Sequence, residues 1–204
     1  MLFNSYSFLV FFPIVVFVYF LIPKRFRYIW LLVASYYFYM RWNAKYALLL
    51  LTSTIITYLS GLLLSAKKIS HITKWKKCVV AVSFISNLSI LFFFKYFDFV
   101  IVNINRILGA LHIQMLTTQF DVLLPVGISF YIFRALSYTM DVYRGEVAAE
   151  KNVLKYALFV SFFPQLVAGP IERSKNLLKQ VNEDHNFSYE RMCQGLMLMT
   201  WGYF

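Results

Sequence analysis

Eighteen consecutive residues near the amino terminus, from Ser5 to Ile22, carry no charged side chain, and uncharged runs return at 46–66 and 78–94. An α-helix rises about 1.5 Å per residue and the hydrocarbon core of a bilayer is about 30 Å thick, so about 20 such residues cross it. Composition agrees with that reading. Of 204 residues, 60% are hydrophobic and 14% charged, against about 25% charged in soluble proteins, and the mean hydropathy is +0.63. The expected fold is all-α, a polytopic transmembrane helical protein.

The expected spans are 5–22, 28–40, 46–66, 78–101, 122–142, 152–170 and 190 onward. The run at 28–40 covers only about two thirds of the core by rise per residue, so it is read as the short member of a hairpin with 46–66. The last run is still uncharged at Phe204. The chain therefore reads as the front portion, 1–204, of one longer transmembrane domain.

The formal charge of +11 would suggest nucleic acid in a soluble chain. Here the basic residues lie between apolar runs and no recognition motif accompanies them, so the expected partner is membrane lipid and not nucleic acid. Lys24, Arg25 and Arg27 follow the first run, and Lys67, Lys68, Lys74, Lys76 and Lys77 separate the third from the fourth. Basic loops stay in the cytoplasm, which places the amino terminus outside.

Cys78 and Cys193 lack the paired spacing of a zinc or redox site and are expected to be buried free thiols, with no metal bound. His71, His112 and His185 stand outside the hydrophobic runs and are expected at solvated positions. Asn87 heads a glycosylation triplet but lies within an expected span. Gly127-Ile128-Ser129 opens like a nucleophile elbow, yet Tyr131 stands where that motif needs its second glycine.

Two stretches depart from plain lipid-facing helix. At about 100° per residue, Gly127, Tyr131, Arg134, Tyr138 and Asp141 share one face of the fifth run. A charged side chain facing mid-bilayer lipid costs about 2.5 to 3.5 kcal/mol, so this stripe must face protein or a water-filled cavity. Either Arg134 pairs with Asp141 or another carboxylate, or the stripe lines a substrate cavity. In the sixth run, Pro164 removes a helical hydrogen bond to the Val160 carbonyl, and Gly169 and Pro170 break the backbone again. Breaks at membrane depth are tolerated only where protein or water satisfies the freed groups. Gln165 then acts either as interhelical glue or as part of a pathway wall.

The stretches LLPVGISFYIFRALSYTMDVYRG (123–145) and ALFVSFFPQLVAGPIERSKNLLKQ (157–180) resemble the membrane-bound O-acyltransferase family, in its alginate O-acetyltransferase-like branch. The first fifty residues resemble that branch as well. The resemblance implies a funnel of helices in a bacterial cell membrane. It implies an acyl donor such as acetyl-CoA or an acyl-carrier thioester on the cytoplasmic side, used as substrate with no bound cofactor. The implied acceptor is a hydroxyl of cell-envelope or secreted polysaccharide outside, and an extracytoplasmic acetyltransferase is an implied partner. The family's general base is an intramembrane histidine, and neither His71, His112 nor His185 matches its position, so the base is expected beyond Phe204 and this chain alone is expected to be inactive. Pro125, Gly127, Ser129, Tyr131, Arg134, Tyr138, Asp141, Tyr143, Gln165, Gly169 and Pro170 are the residues assigned to the core motifs or the substrate tunnel. A transporter or channel with broken helices, or an inactive scaffold of the same family, are the alternative readings.

Overall fold

The computed structural model describes residues 3, 5–66, 73–110, 125, 127–166, 174–183 and 185–203. Among the described residues no strand occurs. Helix α1 (Tyr6–Leu21) leads through a 3-10 turn (Lys24–Phe26) into α2 (Arg27–Met40), followed by α3 (Ala44–Ser65), α4 (Thr73–Ala110) and α5 (Ile128–Arg144). Then come α6 (Val153–Ser161), a second 3-10 turn (Phe163–Gln165), α7 (Ser174–Asn182) and α8 (Tyr189–Tyr203).

Local chemistry sets several of these ends. Ser5 Oγ accepts from the Phe8 N–H at 3.2 Å, and Asn43 Oδ1 from the Lys45 N–H at 3.0 Å. Asn152 Oδ1 takes the N–H groups of Leu154 and Lys155 at 2.9 and 3.3 Å. Each cap satisfies an amide that the first helical turn cannot. Helix α5 stops at Gly145, whose φ of +78° lets its N–H reach the Val142 carbonyl at 3.1 Å while Glu146 N–H reaches that of Asp141 at 2.9 Å. A residue with a Cβ resists that left-handed conformation.

The chain is an all-α membrane protein. Among the described residues, Ala44–Ser65 and the Thr73–Phe97 part of α4 are long and apolar enough to cross a bilayer. Helix α4 is longer than the expected span 78–101: its 38 residues rise about 57 Å. It packs through Ser83, Asn87 and Leu91, which are buried, and leaves Val82, Ile85, Phe92 and Phe99 exposed. The described part of the fifth run is helical only from Ile128.

Helix α3 occupies the centre, against α2, α4, α5 and α6. The main core gathers Tyr39, Leu50, Leu91, Tyr131, Ile132, Ala135, Tyr138, Tyr156 and Phe159. A second, aromatic cluster joins Phe8, Val15, Ala34 and Phe38 to Phe163, with Met199 of α8 packed against it.

The expected span 152–170 is not one helix. Helix α6 stops after nine residues, a rise of about 14 Å, and the chain then comes back. Ser174, at the start of α7, donates its hydroxyl to the carboxylate of Asp141 in the last turns of α5. Lys155 in the first turn of α6 donates to Asn182 Oδ1 at 2.5 Å, at the end of α7. Arg27, at the start of α2, donates to the His185 carbonyl at 2.6 Å. The segment thus enters the bundle, bends, and returns to the end where Lys24–Phe26 lies. Proline at 164 cannot donate to the Val160 carbonyl, and the backbone leaves helical geometry just before it, at Phe162, whose ψ is 109°.

Candidate functional site

The break at Phe162 leaves helical hydrogen bonds undone, and the two halves of one of them find different partners. In an uninterrupted helix the Phe163 N–H would bond the Phe159 carbonyl. Instead it donates to Ser35 Oγ of α2 at 3.3 Å. The Phe159 carbonyl accepts from the Arg134 guanidinium of α5 at 3.4 Å, and Arg134 donates again to the Gln165 carbonyl at 2.9 Å. A cation at a helix carboxyl terminus also meets the negative end of the helix dipole. The Phe163 ring fixes the bend from the other side, 5.5 Å from Phe11 and 5.6 Å from Phe38.

The described contacts of Arg134 and Asp141 run to different partners. Asp141, the carboxylate two turns along the same helix, takes the Ser174 hydroxyl, while Arg134 binds backbone carbonyls. Both arrangements satisfy the requirement that a charge within the membrane face protein. Arg134 is 2% exposed.

The rest of the α5 stripe faces packed protein. Tyr131 is fully buried against Tyr39, ring edge to ring face at 6.4 Å. Tyr138 is also fully buried, and its hydroxyl accepts from the Glu150 N–H at 2.9 Å. Its ring lies 4.6 Å from that of Tyr156, whose hydroxyl donates to Thr57 Oγ1 at 2.7 Å. Gly127 begins α5 with φ +75°. Ser129 Oγ accepts from Lys95 Nζ at 3.3 Å. Pro125 is buried, and Tyr143 and Gln165 are half-buried. The Gln165 side-chain oxygen has no hydrogen-bond partner among the described residues. Gly169 and Pro170 lie outside the described residues.

Small and polar residues on α3 make room for this arrangement. Ser53, Thr57, Ser60 and Gly61 are buried on one face, and a Cβ at Gly61 would lie 2.8 Å from Tyr138 Cε1. Ser53 also donates to Asn87 Oδ1 at 2.5 Å, and Asn87 Nδ2 to the Ser83 carbonyl at 2.9 Å. Asn87 is therefore a buried bridge between α3 and α4, with no room for a glycan. Sequence reading missed this face of α3. The signal was there in Ser53, Thr57, Ser60 and Gly61 at three- and four-residue spacing, but in an apolar run it reads as tolerated polarity.

A cavity of about 810 Å³ opens on the other side of α6, among α1, α2, α6 and α7. Phe162, Phe163 and Pro164, the bend itself, form part of its wall, together with Phe12, Val16 and Leu31. Lys24, Arg25, Arg27, Lys155, Asn182, Glu183 and His185 lie around it on the charged side. The eleven residues assigned to the core motifs are absent from its described lining. The stripe thus holds the bend in shape, and the bend shapes the cavity.

His185, expected at a solvated position, is half-buried, with Nε2 2.9 Å from the Gln180 carbonyl. His71 and His112 lie outside the described residues. Both cysteines are free, but Cys78 is exposed and Cys193 half-buried, where burial was expected. The helices they sit on, α4 and α8, present much apolar surface outward.

Similarity to known proteins runs along nearly the whole chain. It is 40% identical over 185 residues to a Pseudomonas putida protein named "Probable alginate O-acetylase AlgI", covering 89% of this chain and 37% of that protein. The protein of the same name from Pseudomonas aeruginosa is 37% identical over 183 residues, 89% of this chain and 35% of its own. The "Peptidoglycan O-acetyltransferase" of Helicobacter pylori is 31% identical over 210 residues, 90% of this chain and 38% of its own. The chain spans about a third of the length of the curated relatives it matches. No protein-family model and no solved structure matches it.

Proposed function

We propose that this chain, by its similarity a member of the alginate O-acetylase-like branch of the membrane-bound O-acyltransferases, is part of an enzyme that O-acetylates cell-envelope or secreted polysaccharide. The observation that carries the reading is the identity of 31 to 40% to named O-acetylases along about nine tenths of the chain. The donor, acetyl-CoA or an acyl-carrier thioester, is used from the cytoplasmic side of a bacterial cell membrane. The acceptor is a polysaccharide hydroxyl on the opposite side, where an extracytoplasmic acetyltransferase partner acts. The amino terminus is outside and the Lys24–Arg27 turn inside, in keeping with the positive-inside rule.

The bend at Pro164 supports this reading in physical terms. Acyl transfer to a sugar hydroxyl needs a general base within hydrogen-bond reach and a site from which competing water is excluded. Helices broken at depth, with their freed groups satisfied by neighbours, are how a membrane protein shapes such an interior. The residues of the two motifs act as wall and support. The general base of the proposed reaction is an intramembrane histidine.

Deletion of the intact gene tests the proposal, with alkali-labile acetate measured on envelope and secreted polysaccharide. A loss of acetate restored by the gene in trans is the expected result. Unchanged acetate in a strain whose parent transcribes the gene overturns it.

A further inference from the structure

We propose that the cavity among α1, α2, α6 and α7 binds one anionic phospholipid, its phosphate at the basic side and an acyl chain along the aromatic wall. The inference goes beyond acyl transfer and does not depend on it. Charge is the first argument. Arg27 donates to the Ile22 and His185 carbonyls at 3.1 and 2.6 Å, and Lys155 to the Asn182 amide oxygen at 2.5 Å. These partners are neutral, so they hold the two cations in place without cancelling their charge. Lys24 and Arg25 also stand in the lining, and among the described lining residues the one carboxylate is Glu183, which pairs with Lys179 at 3.8 Å.

The second argument is the inner wall. The side chains of Phe12, Val16 and Phe162 offer hydrocarbon and no hydrogen-bonding group. A polar arm bearing amides loses its water there without replacement, at roughly 1 to 3 kcal/mol per group, whereas an acyl chain loses nothing. The volume, about 810 Å³, falls within the roughly 300 to 1,000 Å³ of small-molecule sites. Phe17 and Leu21, next in sequence to the lining residues Val16 and Phe20, are exposed apolar side chains of α1.

The test is native mass spectrometry of the full-length protein in detergent, titrated with dioleoylphosphatidylglycerol or dioleoylphosphatidylcholine. The parent is expected to prefer the anionic lipid. In R25A/K155A that preference falls by about 30-fold, from about 1 kcal/mol for each basic residue, while binding of the zwitterionic lipid persists and shows the variant is folded. V16W, which fills the apolar wall, weakens both lipids, and K45A, at a lysine outside the cavity lining, changes neither. Equal binding of the two lipids by the parent overturns the proposal, as does a preference that survives R25A/K155A. Displacement of bound phosphatidylglycerol by acetyl-CoA overturns it in favour of a soluble donor in the same cavity.

Discussion

Gly61→Ala puts the packing of the core to a quantitative test. In most helices the change stabilises, by about 1 kcal/mol of propensity. Here the new methyl carbon would lie 2.8 Å from Cε1, 2.9 Å from Oη and 3.2 Å from Cζ of Tyr138. Carbon atoms rest at about 3.5 to 4.0 Å, so the ring must retreat by roughly 1 Å. It has little freedom to do so. Its hydroxyl accepts from Glu150 N–H at 2.9 Å, its face meets Tyr156 at 4.6 Å, and Tyr156 is tied to Thr57 at 2.7 Å. Overpacking of this kind costs about 1 to 3 kcal/mol, and a lost hydrogen bond adds about 1 kcal/mol. Offset by propensity, the net destabilisation is about 1 to 3 kcal/mol. Unfolding of the detergent-solubilised full-length protein with increasing SDS measures it, and Tyr138→Leu supplies the second arm of a cycle. The pair G61A/Y138L is expected to be more stable than the sum of the single changes by at least about 1 kcal/mol, because contacting residues are not additive. A G61A protein as stable as the parent, or additive behaviour in the cycle, would refute the reasoning.

The swapped hydrogen bond and the left-handed glycine give further expectations under the same assay. Ser35→Ala leaves the buried Phe163 N–H without its acceptor and is expected to cost about 1 to 3 kcal/mol; Arg134→Met, which strips two carbonyls, is expected to cost more than Ser35→Ala. An Arg134→Met protein as stable as the parent would show that the carbonyls do not need the guanidinium. Gly145→Ala is expected to cost about 1 to 2 kcal/mol purely from its φ of +78°, since the added Cβ meets nothing within 4 Å. A neutral Gly145→Ala would mean that the α5 terminus relaxes.

The all-α class was readable from charge-free length, because lipid penalises charge so strongly that uncharged runs leave a plain trace, whereas the charged helix α7 (Ser174–Asn182) left none. The inward face of α5 followed from the same penalty at Arg134 and Asp141. Partners were harder to read. Spacing offered Asp141 to Arg134, but Asp141 takes the Ser174 hydroxyl and Arg134 donates to carbonyls at the end of α6 and just past it. The return of the chain after Phe162 was hidden too, because periodicity reports which face is apolar and not how deep a segment goes. The cavity joins Arg25 and Phe12 to Lys155 and Phe162, residues brought together by two hairpins, and no local pattern announces such a meeting.

The pairing of Ser35 with Phe163 also has an order in time. These residues stand 128 positions apart, so at about 5 to 20 residues per second the acceptor is synthesised some 6 to 26 s before the amide that needs it. In the folded chain Ser35 donates to the Leu31 carbonyl at 2.8 Å, a bond internal to α2 that the helix can make on its own. The hydroxyl lone pairs stay open. Helix α2 can therefore settle in lipid early and wait, and the late-made bend docks onto an acceptor that needs no rearrangement to receive it.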